Sequence, residues 1–184
     1  MNKSERETEN ITQKLLSKVG IFDNENYLVE LQKSLNPTIQ RLLKNSSKSG
    51  DGLGKPEFII TSKIGDKDFL IVIECKNNKK FHISENKNEY KDYAVDGVLL
   101  YSSNLSKEFN VISVGISGDN IKDLKISTYF QPKNASNATV LIDENNKPVE
   151  NILEWDRYIK LAKFDPASCK NETQRSHEIF KRTS

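Results

Sequence analysis

The 184-residue sequence predicts an α/β fold with a mixed central sheet flanked by helices. Three observations carry that reading. Residues 57–64 and 69–75 are β-rich, and Gly65-Asp66-Lys67-Asp68 between them is turn chemistry, so the pair reads as a hairpin. The pattern then changes period: Tyr90, Tyr93, Ala94, Gly97, Val98 and Tyr101 share one helical face. A further β run at 111–117 ends at Gly118. Strand, helix, strand is a crossover unit, for which a right-handed connection and parallel strands are expected.

The other elements follow in order. Ile11, Leu15, Leu16 and Val19 have helical spacing, which predicts a helix over 5–19 closed by Gly20. Tyr27, Leu28, Leu31 and Leu35 predict a second helical stretch over 26–35, broken by Asn36-Pro37. Pro37 suits the first turn of another helix reaching Leu43. A Gly/Ser/Lys-rich loop, SSKSGDGLGKP, precedes the hairpin; it lacks the GxxxxGK[ST] spacing of an ATP site. In the second hairpin strand Phe69, Ile71, Ile73 and Cys75 face one way, and Leu70 and Val72 the other, so both faces are buried. A strand over 124–130, a helix over 152–164 and a polar tail with a helical signal near 177–181 complete the chain.

Composition narrows the function classes. The length suits one domain, and a chain of this size buries roughly 70% of its unfolded surface. A net charge of +2 is too small to argue for nucleic acid by itself. Cys75 and Cys169 form no CxxC pair, which argues against a disulfide framework or a zinc site; a reduced cytoplasmic setting is expected. The first ten residues lack a signal peptide's apolar stretch, and the longest apolar runs fall far short of a membrane span.

The hairpin carries the chemistry. With its turn centred between Gly65 and Asp66, the pairing sets Glu57 opposite Glu74, roughly 5 Å apart at the backbone. Lys76, two residues beyond Glu74, points to the same face. Facing carboxylates repel, and a cation between them relieves that. Carboxylates are hard oxygen ligands suited to Mg²⁺, and the main-chain carbonyl of Cys75 is a further candidate ligand. Lys76 is placed to orient a water or neutralise developing charge. These groups are expected to be exposed in a cleft. A Glu-x-Lys at a strand end is common and often only a solvated edge; here the apolar LIVI runs directly into Glu-Cys-Lys, and Pro-Glu opens the partner strand.

PEFII followed by DFLIVIECK resembles the nuclease motif of the PD-(D/E)XK superfamily. The stretch YKDYAVDGVLLYSSNLSKEFNVISVGISG resembles the N-terminal nuclease domains of type IIG and type I-like restriction–modification enzymes, which fuse the nuclease to an adenine-N6 DNA methyltransferase. The resemblance covers residues 8–118. It implies a restriction-endonuclease-like core of helix, three strands, helix, strand, and an endonuclease that cuts double-stranded DNA with Mg²⁺, Mn²⁺ being a substitute. It maps Glu57 and Glu74 to metal binding and Lys76 to catalysis, although Glu57 stands where the superfamily usually has Asp. A further acid from a preceding helix is implied, with Glu30 as first candidate and Glu9 as second.

Lys79, Lys80, His82, Lys87 and Lys91 are candidate phosphate contacts, Lys79, Lys80 and Lys87 foremost; a solvated loop is the competing reading for each. No recognition-helix or finger motif is visible, so base readout is expected from partner methyltransferase and recognition domains. Double-strand cleavage would require two nuclease copies, hence a dimer, or a second nick. The expected organisation is a nuclease domain over 1–164, with N-terminal helices in 1–50, a catalytic core in 55–130 and a helix in 150–164. Residues 165–184 would be a polar tail or linker to a following domain.

Overall fold

A computed structural model describes residues 5–49 and 52–165; the helical signal near 177–181, Cys169 and the tail beyond 165 lie outside them. The elements run α1 (Glu5–Lys18), β1 (Tyr27–Leu31), α2 (Pro37–Leu43), β2 (Phe58–Ser62), β3 (Phe69–Lys76), a 3-10 turn (Lys79–Phe81), α3 (Ala94–Leu105), β4 (Asn110–Ser117), β5 (Lys125–Gln131), β6 (Thr139–Val140) and α4 (Trp155–Lys163). The six strands form one sheet in sequence order. β3 and β4 are parallel, joined through α3, and every other neighbouring pair is antiparallel. The fold is thus mixed α/β, compatible with a restriction-endonuclease-like core. None of the described helices is long and apolar enough to cross a membrane.

One element departs from its sequence reading. Residues 27–31 form a strand, not a helix, and this supplies the third strand before α3 that the resemblance requires. Leu28, Leu31 and Leu35, whose spacing suggested a helical face, are all exposed. β1 is an edge strand, and only Tyr27 and Val29 pack partly into the core. A short edge strand with one half-covered face leaves too faint an alternation to outweigh a chance helical spacing. The two-residue β6 was not expected at all.

The sheet separates two apolar layers. Phe58, Ile60, Phe69, Ile71, Ile73 and Cys75 pack with α1 and α4, through Leu16, Trp155, Tyr158 and Ile159. Ile59, Leu70 and Val72 pack with α2 and α3, through Ile39, Leu42, Val98, Tyr101 and Leu105. Every residue of β3 is buried, as expected of a strand covered on both faces. The hairpin register is the expected one, with Phe58 opposite Ile73 and Ile60 opposite Ile71.

Two glycines bring α3 down onto the strand ends. A Cβ on Gly115 of β4 would lie 2.8 Å from Cγ2 of Val95 and 3.0 Å from its backbone nitrogen. A Cβ on Gly97 would lie 2.9 Å from the Tyr90 carbonyl oxygen and 3.3 Å from both Glu74 and Lys48 side-chain carbons. Only glycine lets the first turns of α3 lie this close to Glu74.

Candidate active site

β3 delivers Glu74 and Lys76 to the face covered by α2 and α3, since alternate residues share a face. Glu57 sits one residue before β2, whose pairing with β3 runs to Phe58 opposite Ile73, and it is near enough for its charge to act on Glu74. The Lys76 carbonyl accepts from Gly118 N at 2.9 Å, so residues 74 and 76 turn their backbone groups toward β4 and residues 73 and 75 toward β2. Phe58 and Ile73 are therefore a hydrogen-bonded pair.

The site is drier than expected. Glu74 is completely buried, Lys76 is 8% exposed and Glu57 is half-buried, so the acids do not line an open cleft. The reason is a lid that the sequence did not disclose. Lys48, in the Gly/Ser/Lys-rich loop, ion-pairs with Glu74 Oε1. The Lys76 ammonium reaches the same oxygen at 3.4 Å. Lys48 also lies over the Tyr101 ring, 5.9 Å from its centroid. Gln32, which follows β1 at φ 58°, donates from Nε2 to Glu57 Oε2 at 3.3 Å. No local motif announces Lys48 or Gln32; both arrive through long-range packing.

Glu74 Oε2 is buried with no hydrogen-bond partner among the described residues. A buried carboxylate oxygen left in that state is costly. Burial pushes the Glu74 carboxyl above its ordinary pKa, the nearby Lys48 opposes that, and Glu57 adds to it. Burial also raises Glu57, and the Glu9 charge adds to that.

The two helix-acid candidates separate. Glu30 lies on β1, not a helix, and its carboxylate accepts from Ser34 Oγ at 2.5 Å and Leu35 N at 2.6 Å, closing the turn after the strand. Glu9 lies on α1, near enough for its charge to act on Glu57. Cys75 faces the opposite layer, its Sγ 3.5 Å from Thr12 Oγ1; burial raises its thiol pKa well above normal, which suits packing and not nucleophilic attack.

The basic candidates lie on the segment after β3. Lys79 pairs with Asp123 at 3.2 Å, Lys87 lies 5.5 Å from the Tyr129 ring centroid, and Lys80 and Lys91 are exposed. His82 does not belong with them. It is buried between Ser117 Oγ and Ser127 Oγ, each 2.8 Å from a ring nitrogen. Burial, with Lys125 nearby, lowers its pKa to about 4, so it is neutral near pH 7. The folded-state pKa is depressed, so its contribution to stability is present above about pH 6.5 and is lost as pH falls toward the folded value. The melting temperature of the wild type should therefore fall more steeply than that of His82→Gln between pH 6.5 and 4. Parallel curves would show that His82 does not titrate with unfolding.

Among the described residues no three His, Cys, Asp or Glu side chains converge as a ready metal cage. The donors here are two carboxylates and a main-chain carbonyl. That set fits Mg²⁺, which keeps several waters and takes only one or two protein carboxylates. The orphaned Glu74 Oε2 marks where such a cation would complete the site.

In a 134-residue alignment that covers 67% of this chain, the sequence is 31% identical to the Type II restriction enzyme and methyltransferase RM.BcgI of Heyndrickxia coagulans. This chain is similar to a restriction–modification enzyme. It spans about a fifth of that protein, 20% of its length. No protein-family model matches the chain, and no solved structure matches it.

Proposed function

We propose that the chain is the nuclease domain of a restriction–modification enzyme, hydrolysing DNA phosphodiester bonds with Mg²⁺. The observation that carries this reading is the buried Glu74 Oε2, without a hydrogen-bond partner among the described residues, with Glu57 near enough for its charge to act on it and Lys76 on the same face. Glu57, Glu74 and the Cys75 carbonyl would hold the cation. Bound there, the cation would stabilise charge on the scissile phosphate and lower the pKa of a bound water. Lys76 orients the attacking water or neutralises the charge that develops, and its fixed position on β3 limits reorganisation during the reaction. Lys79, Lys80 and Lys87 contact DNA phosphates, which position the duplex without reading it. Sequence choice then falls to partner recognition and methyltransferase domains, and double-strand breaks to paired nuclease copies.

One observation favours a second reading. Lys48 and Lys76 both reach Glu74 Oε1 and so neutralise it without a metal, which suits a module that binds DNA or a partner subunit without cutting. Calorimetric titration with Mg²⁺ or Mn²⁺ separates the two. The nuclease reading expects binding that Glu57→Gln weakens by about 10²-fold, at least the loss seen when groups around a metal site are removed. Glu57→Asp should cost less, because only reach changes. Equal affinity in wild type and both variants would remove Glu57 from the metal's ligands, and no binding by wild type would favour the non-cutting module.

A further inference from the structure

We infer that Lys48 is an exchangeable counter-ion: it holds Glu74 while the divalent cation is absent and leaves when the cation binds. The inference rests on the nuclease reading and adds to it a loop residue that sets the metal affinity. Glu74 is completely buried, and Lys48 and Lys76 share its Oε1 while Oε2 has no hydrogen-bond partner among the described residues. A cation arriving at Oε2 and Glu57 would meet two ammonium groups across one carboxylate, in a dry setting where like charges repel strongly. One of them must move away. Lys76 is fixed on a central strand, with a side chain 10% exposed. Lys48 comes from a loop, and its side chain is 19% exposed. Its second neighbour, the Tyr101 face, can keep the released ammonium beside the site. Gly97 leaves room for the Lys48 stem, since a Cβ there would sit 3.3 Å from Lys48 Cδ.

The test is Mn²⁺ titration of the 184-residue chain by calorimetry, comparing wild type, Lys48→Met and Lys48→Arg. Lys48→Met should bind Mn²⁺ about tenfold more tightly or better, having lost the competing charge, whereas Lys48→Arg should bind no more tightly than wild type. A wild type that binds, with Lys48→Met equal or weaker, would overturn this inference and leave the nuclease reading standing. No binding by wild type or Lys48→Met would overturn both. Should Lys48→Met fail to fold, nitrogen-15 NMR of the wild-type lysine ammonium groups decides. The Lys48 signal held by Glu74 should be lost or shifted at saturating Mg²⁺, and a signal unchanged at saturation would refute the exchange.

Discussion

Glu74→Gln in the complete enzyme should lower the rate of DNA cleavage by about 10³-fold or more, the scale lost when a group that stabilises transition-state charge is removed. Lys76→Met should do the same. Plasmid cleavage with Mg²⁺ at fixed salt is the measurement, and near-wild-type cutting by either variant would place the chemistry elsewhere. Stability separates two roles for Glu74. Facing Glu57 alone, its neutralisation would relieve repulsion and leave the protein as stable or slightly more so. With Lys48 and Lys76 on its Oε1, neutralisation removes a counter-charge that both ammonium groups share. Lys48 can turn to water, so the loss should be real but smaller than the roughly 3–5 kcal/mol of breaking a fully buried pair.

Phe58→Ala should destabilise the chain by about 3–5 kcal/mol, the range for truncating a buried aromatic. Phe58 is 2% exposed and packs in the α1–α4 layer directly after Glu57. Urea denaturation reads the loss, and a value under about 1 kcal/mol would mean that this layer collapses around the cavity. A folded Phe58→Ala protein should also bind Mn²⁺ more weakly, because Phe58 fixes the backbone from which Glu57 projects.

Local signals served the sequence reading well, and distant ones failed it. The Gly65-Asp66 turn with its flanking alternation fixes the β2–β3 register from Phe58 opposite Ile73 to Thr61 opposite Leu70. The helical spacing that begins at Tyr90 marks α3, although the helix starts only at Ala94 and leaves Tyr90 and Tyr93 before it; parallel β4 follows. At 27–31, spacing argued for a helix, and only pairing with β2 makes the segment a strand. Lys48 was legible as a loop lysine and nothing more; its contact with Glu74 spans 26 residues, and no local signal announces it. Exposure was misjudged for the same cause, because a strand-end motif does not reveal the loop that folds over it. His82 looked like one more cation in a basic loop until Ser117 and Ser127 enclosed it.

The strict alternation of β3 ties the site to the integrity of the interior. Ile73 and Cys75 enter the layer of α1 and α4, while Glu74 and Lys76 between and beyond them enter the opposite side. A one-residue slip of this strand would exchange the two sets, driving a carboxylate and an ammonium among Leu16, Trp155 and Ile159. That misregistered sheet would bury ionisable groups in hydrocarbon, at a cost of several kcal/mol per group, comparable to a typical domain's margin of stability. Any chain that reaches its native interior has therefore already aimed Glu74 and Lys76 correctly, and mispositioned acids are removed by the same physics that rejects misfolded sheets.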